Sequence, residues 1–298
     1  MNSAILFLTY KRLDTTRLVF NAICQAKPKK IYFASNAAKD SGEIINVNKI
    51  RDFINEINWP CEIHTLFREN HLSVKYSISS AIDWFFENES EGIILEDDCL
   101  PDPTFFQYCD ELLEKYRDDK RISQISGVNL QGNSKTNSSY YFSRNIHIWG
   151  WATWASRWKN SYDVEMSSWK EFKQFNSIEN IINNKSHKKY WSNIFDEIAN
   201  DKMQTWDYQW VYANWINYRL SIMPNKDLIT NIGFGPEATF TKESSPLSNL
   251  PVYPMTFPMN HPKYIYPESM LEEEFYNKFN KTNYFRRIKT KILRIMGI

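Results

Sequence analysis

Residues 92–103 read GIILEDDCLPDP, three apolar residues run straight into three carboxylates, with prolines close behind. An unbroken apolar run of this length reads as a strand buried on both faces, the kind found in parallel sheets. Glu96, Asp97 and Asp98 then stand at the carboxyl end of that strand. They are either a polar turn leading into a helix, with Asp98 or Asp102 as its cap, or oxygen ligands for a cation that a second molecule also touches. Pro103 suits the first turn of the helix that follows.

Working outward from this stretch, strands and helices alternate. AILFLTY (4–10), KIYFAS (30–35), CEIHTLF (61–67), GIIL (92–95) and ISQISGV (122–128) are expected strands. Between them, helical spacing covers Leu18, Val19 and Ile23, then residues 46–57, 73–87 and 103–117. This alternation predicts an α/β fold with a mostly parallel sheet covered by helices, and ligands bound beyond the carboxyl ends of its strands. The alternation stops near Asn129. Residues 130–145 are polar and turn-rich, and helices are expected near 169–183, 187–199 and 206–217, followed by a strand-like LSIMP at 220–224. Nine of the eleven Trp residues fall between Trp149 and Trp215, a clustering that suits a ligand site as well as a core. Six of the twelve prolines lie between Pro246 and Pro267, so that segment is expected to wrap the surface in extended form.

The 298 residues suit one large domain or two small ones. Lys and Arg (36) nearly balance Asp and Glu (35), so no overall field favours nucleic acid. From Lys278 onward there are seven basic residues and no acidic one, leaving the preceding chain at net −6. In the tail, Phe285, Ile288, Ile292 and Ile295 share one helical face, opposite Arg286, Arg287, Lys289, Lys291 and Arg294. That pattern suits a helix lying on an anionic membrane, or one packed on protein. Cys24, Cys61, Cys99 and Cys109 lack CxxC spacing and sit in apolar contexts, which reads as reduced thiols of a cytoplasmic protein. The opening MNSAILFLTYKR has too short an apolar run for a signal peptide, and no segment reaches the ~18 apolar residues of a membrane span.

The motifs that are missing narrow the chemistry. There is no Walker loop, no GxGxxG and no GxSxG, and the five histidines lack zinc-ligand spacing. The acidic triplet is left. Hard oxygen donors at a strand end suit Mg²⁺ or Mn²⁺ shared with substrate phosphates.

The segment IILEDDCLPDPTFFQYCDELLEKY (93–116) resembles the metal-binding segment of GT-A glycosyltransferases, whose DxD motif takes the form E-D-D in N-acetylglucosaminyltransferase I. It also resembles a bacterial family of nucleotide-diphospho-sugar transferases. HIWGWATWASRWKNSYD (147–163) is similar to their G-W segment, TWDYQW (205–210) to the W-D-x-W segment carrying the catalytic base, and NIGFGPEATFT (231–241) to the loop over the donor. FLTYKR (7–12) and FASN (33–36) resemble the nucleotide-binding ends of the first two strands. The resemblance runs in order over residues 4–241.

It implies a metal-dependent, inverting transferase with Mn²⁺ or Mg²⁺ as cofactor, moving a sugar from a nucleotide diphosphate, UDP in the first instance. Asp98 would bind the metal, Asp97 face the ribose and Glu96 the donor sugar. Thr9, Tyr10, Arg12, Asn36 and Arg68 would meet the nucleotide, with Asn36 offering its amide oxygen to the base. Gly150 and Trp151 would also lie on the donor, and Trp149 and Trp206 would shape the acceptor side. Asp207 would be the base, although a place at a helix start explains it equally. Arg68 as a solvated strand end, and most of the Trp residues as core, are the plainer readings. Phe240 stands where related sequences often carry a His that could ligate the metal. The implied partners are a nucleotide sugar, a glycan or lipid-linked glycan acceptor, and a membrane surface on its inner face, in bacterial surface polysaccharide synthesis. The implied layout is a catalytic domain over 1–245 (nucleotide half 1–129, acceptor half 130–245), a wrapping segment over 246–282 and a tail helix over 283–298. The alternatives are a sugar nucleotidyltransferase, which would want a Gly-rich basic loop that TYKRLDTTR lacks, and a carbohydrate-binding protein without activity.

Overall fold

A computed structural model describes residues 1–131, 136–175, 177–182, 184–234 and 249–277. The expected tail helix, Phe240 and most of the 231–241 loop lie outside these described residues.

Four parallel strands form one half of the main sheet: β1 (Ala4–Thr9), β2 (Lys30–Ser35), β3 (Glu62–Phe67) and β4 (Glu91–Glu96). Their connections are α1 (Leu13–Ala26), α2 (Ile44–Arg51) with a 3₁₀ turn over Asp52–Glu56, and α3 (Val74–Asn88). Alternate side chains point to opposite faces. Ile5, Phe7, Ile31, Phe33, Ile93 and Leu95 pack on α1 and α2 residues such as Phe20 and Ile50. Leu6, Tyr32, Ala34 and Ile94 pack on Ile82 and Phe85 of α3. Both faces being covered explains why β1, β2 and β4 read as nearly continuous apolar runs, unlike the edge strand β3.

The rest of the sheet is less regular. After β4 come β5 (Cys99–Pro101), α4 (Thr104–Tyr116), β6 (Ile122–Ser126), β7 (Tyr140–Ser143), β8 (Trp151–Trp154), α5 (Ala155–Trp158), α6 (Trp169–Gln174), α7 (Lys185–Ala199), α8 (Asp207–Ile216), β9 (Leu220–Pro224) and β10 (Ile229–Asn231). The eight-stranded order is β3-β2-β1-β4-β8-β6-β9-β7. β8 is antiparallel to both its neighbours and β7 is antiparallel to β9, while the other six strands run one way. β5 and β10 form a separate antiparallel pair. The architecture is therefore the expected α/β one, a mostly parallel sheet flanked by helices.

Four strands differ from expectation, among them the short β5 and β10 in stretches read as a turn and a loop. YYFS (140–143), inside the stretch read as polar turn, is strand β7, and WATW, read as part of a ligand segment, is strand β8 in mid-sheet. The helix expected over 169–183 is α6 followed by a 3₁₀ turn at Ser177–Asn180. Trp169, Phe195, Val211, Tyr212 and Trp215 give α6, α7 and α8 a small core of their own. The Pro-rich segment runs along the domain: Met255 N–H donates to Thr104 Oγ1 (2.8 Å), Glu268 N–H donates to the Phe142 carbonyl (2.9 Å), and Pro267 bridges to Phe142.

Candidate functional site

Because β1 to β4 are parallel, their carboxyl ends share one edge. Tyr10, Asn36, Arg68 and Asp97 all follow directly on these strands. The loops are tied together by backbone bonds, Asn36 N–H to the Thr9 carbonyl (3.1 Å) and Arg68 N–H to the Ser35 carbonyl (3.0 Å).

The acidic triplet divides into separate roles. Asp102, not Asp98, caps the next helix, its Oδ1 accepting from Thr104 N–H at 2.9 Å. Pro103 stands just before the first residue of α4. Asp97 and Asp98 instead share one guanidinium. Arg12 Nη2 lies 2.9 Å from Asp97 Oδ1 and 2.6 Å from Asp98 Oδ2, and Arg12 Nη1 donates to the Gly233 carbonyl at 3.1 Å. Asp97 Oδ2 also accepts from Tyr10 N–H (3.2 Å) and from the Thr16 hydroxyl (3.5 Å). Asp98 Oδ1 is met by Asn231 Nδ2 at 3.5 Å.

The short β5–β10 pair brings this about, since it lays residues 231–233 over Asp98, with Ile232 N–H bonded to the Asp98 carbonyl (2.9 Å). Gly233 is required there. A Cβ on it would stand 2.1 Å from Asp98 Oδ2 and 2.6 Å from Arg12 Nη1. Asn231 and Gly233 fall within the quoted loop segment, yet neither carries a charge that would have singled it out.

Burial pushes Asp97 up to about 6, with Arg12 holding it down and the Asp98 charge adding to the rise. Glu96 is raised well above the usual carboxylate range by burial first, then by the charges of Asp98, Asp97 and Asp207. Asp207 is the first residue of α8. Burial raises Asp207 as well, against the Thr205 hydroxyl and the N–H groups of Asp207 and Tyr208, which favour its anion. Asp207 thus combines the helix-start position with partial burial.

Other expected contacts are already engaged. The Thr9 hydroxyl donates to the Ala34 carbonyl (3.1 Å). Asn36 Oδ1 accepts from Ala37 N–H (3.0 Å) and Leu72 N–H (3.1 Å), while its Nδ2 donates to the Leu72 carbonyl (2.9 Å). Both oxygen lone pairs are therefore used, and the oxygen that was to meet a base pins a loop instead. Arg68 Nη2 donates to Ser80 Oγ at 2.6 Å. The Tyr10 hydroxyl and Lys11 both donate to Glu43. Burial alone would raise Glu43, but these bonds and Lys39 N–H pull it down to about 2.

Trp151 and Trp206 lie in the core, stacked at 6.0 Å between ring centroids. Trp151 pairs with Ile94, one pleat short of Glu96, and its buried Nε1 has no partner among the described residues. Gly150 has a φ of +59° and packs its Cα on Ile229, which fits it for the turn into β8. Trp149 is half-buried and meets Phe234 edge to face at 5.8 Å. Phe234, Gly233, Arg12, Lys11, Glu43 and Lys49 line part of a groove of ≈ 1040 Å³.

The residues do not fit a divalent ion in this arrangement. Asp98 Oδ2 and Asp97 Oδ1 already hold a cation, Arg12, and Gly233 closes over them. Among the described residues, no group of three or more His, Cys, Asp or Glu is placed to hold a metal ion.

No protein-family model matches this sequence, and no curated protein does. Among solved structures, the chain is similar to TarS of Staphylococcus aureus (TM-score 0.38, 8% identity, 54% of this chain and 49% of that one). It is also similar to the glycosyltransferase GlyE of Streptococcus pneumoniae TIGR4 (TM-score 0.33, 9% identity, 74% and 45%). A third similarity is to mouse xyloside xylosyltransferase 1 (TM-score 0.38, 8% identity, 72% and 81%). The chain spans about half the length of the first two of these structures.

Proposed function

We propose that this protein is an inverting glycosyltransferase that moves a sugar from a nucleotide diphosphate to a hydroxyl of a glycan or lipid-linked glycan, in the making of a bacterial surface polysaccharide. One observation carries the reading: at the carboxyl edge of a parallel sheet an arginine is held on two aspartates beside a groove, while Asp207, a carboxylate raised by burial, starts α8. A guanidinium suits a diphosphate leaving group, and a carboxylate raised by burial suits a general base.

In this reading Arg12 holds the diphosphate and Glu96 faces the donor sugar. Asp207 takes the proton of the acceptor hydroxyl. That oxygen attacks the anomeric carbon from the face opposite the phosphate, the new carbon–oxygen bond forms as the bond to phosphate breaks, and the nucleoside diphosphate leaves. No step is routed through a divalent ion. Trp149, beside Phe234 at the rim, offers a ring against which an acceptor sugar stacks. The basic tail of residues 283–298 brings the enzyme to an anionic membrane. Among the described residues, no helix is long and apolar enough to cross one.

The test is a panel of nucleotide sugars, followed by release of nucleoside diphosphate with a glycan acceptor present. Asp207→Asn should lower transfer by about 10²- to 10⁴-fold while leaving donor binding in place. A variant that turns over normally removes Asp207 from the mechanism. Release of pyrophosphate in place of nucleoside diphosphate would make the protein a nucleotidyltransferase. For the tail, deletion of 283–298 should move the protein from membrane to soluble fractions, and unchanged fractionation would refute its role.

A further inference from the structure

We infer that Arg12 is the resident cation of the Asp97–Asp98 pair and does the work toward a nucleoside diphosphate that a divalent ion would otherwise do there, so that this protein binds its nucleotide without metal. The inference rests on the nucleotide-sugar reading above and adds to it how the phosphates are held.

Three acceptors fix the guanidinium: Asp97 Oδ1 at 2.9 Å, Asp98 Oδ2 at 2.6 Å and the Gly233 carbonyl at 3.1 Å. An Mg²⁺ ion wants about six oxygens near 2.0–2.1 Å in octahedral array and keeps several waters. The Gly233 backbone fills the space those waters need, since even a methyl there would fall 2.1 Å from Asp98 Oδ2. Of the other carboxylate oxygens, Asp97 Oδ2 accepts from Tyr10 N–H at 3.2 Å, and Asp98 Oδ1 faces Asn231 Nδ2 at 3.5 Å.

The arginine, in contrast, has capacity left. A guanidinium carries five N–H donors, and the described contacts account for both on Nη2 and one on Nη1. The Nε donor and the second Nη1 donor have no protein partner among the described residues. These two donors lie on different edges of the guanidinium plane, so each can meet an oxygen of its own on a diphosphate. Arg12 also lines the groove with Lys49, and with Lys11 and Arg17, which are paired with Glu43 and Glu56. Asp97 and Asp98 are then positioning residues. They hold the arginine at the end of β1 and keep it from swinging into solvent.

The experiment is calorimetric binding of UDP, GDP, ADP and CDP, each to the full chain, once with EDTA and once with Mn²⁺. The nucleotide that binds should do so with dissociation constants within about threefold in the two conditions. Arg12→Gln should weaken binding in EDTA more than tenfold, and Mn²⁺ should now restore part of it, because the freed aspartates take up the ion. The free Mn²⁺ signal in electron paramagnetic resonance reads that gain independently of any turnover. Arg12→Lys, which keeps a cation on the aspartates, guards against a folding defect and should retain EDTA-insensitive binding. A wild-type protein that binds nucleotide more than tenfold tighter with Mn²⁺ overturns the inference alone and leaves the transferase reading standing. Binding of no nucleotide in either condition overturns both.

Discussion

The β1–β4 half and the Trp-rich half of this molecule hold their shape by different means. In the first, order comes from alternation: Ile5 and Phe7 face one way, Ala4, Leu6 and Leu8 the other. In the second, large rings are anchored through their polar edges. Indole N–H groups donate from Trp154 to the Leu113 carbonyl (3.2 Å), from Trp158 to Asp83 (2.6 Å), from Trp210 to Gln124 (2.7 Å) and from Trp215 to the Arg144 carbonyl (2.8 Å). An apolar strand tolerates substitution of similar volume, whereas a ring anchored by one bond in a packed cluster has few replacements. The difference teaches that abundant Trp near a candidate sugar site is here mostly architecture.

The largest test of that contrast is Trp210→Ala. It should cost about 3–5 kcal/mol in chemical denaturation, through lost packing and an orphaned Gln124. A loss under about 1 kcal/mol would mean the Trp cluster is not a core. Next is the joint between the halves. Lys75, at the start of α3, has a side chain with 0% exposure and bonds Glu165 at 2.7 Å and Asp201 at 3.1 Å. The double variant Glu165→Ala/Asp201→Ala strands a buried ammonium and should cost about 3 kcal/mol, while Lys75→Met, which leaves only exposed carboxylates, should cost about 1 kcal/mol or less. Equal costs would mean that burial of the charge is not what matters at this joint.

A pH titration probes the edge where the halves meet. Asp97 is raised to about 6 when folded. Between the ordinary carboxylate value near 4 and about pH 6–7, the folded chain keeps a proton that the unfolded chain has released. Stability should therefore fall as pH rises across that window, by about 1–3 kcal/mol. Asp97→Asn should flatten the fall; a melting temperature that climbs through the window instead would contradict the burial of this carboxyl. Glu43, held down to about 2, acts in the opposite sense, and its contribution is lost only below about pH 4. A further test is Gly233→Ala, expected to cost about 1–2 kcal/mol in stability, because the added Cβ forces a shift of the Asp98 side chain and the loop. That shift should show as nucleotide binding weakened out of proportion to the stability change.

The first half was legible because each strand there obeys one pattern. KIYFAS at 30–35 was placed to the residue, and Glu96, Asp97 and Asp98 were placed at a strand end because a buried parallel strand has only one edge where acids are tolerated. Strand β8 was not legible, because WATW joins two indoles, an Ala and a Thr in a pattern that suits a binding loop as well as a strand. YYFS was hidden by its polar neighbours. Arg12 was expected to meet a nucleotide, yet nothing in its spacing showed that it also spans Asp97 and Asp98, because that contact joins residues 85 and 86 positions apart. Asn36 shows the reverse limit: its position was read correctly, but the partners of its oxygen come from Ala37 and from a loop at Leu72.

The insertion of β8 between β4 and β6 also has a consequence for how the chain is born. β1 to β4 can pair as soon as they emerge, yet the free side of β4 waits for a strand that pairs Ile93 with Ala152. Until then a nascent chain presents an open edge of Ile93, Ile94 and Leu95, the kind of edge that recruits other chains. Glu91 lies before this run and Glu96, Asp97 and Asp98 after it. Their charges would repel a second copy during the interval. The acids at both ends of β4 therefore place charge beside this apolar run while the sheet is incomplete.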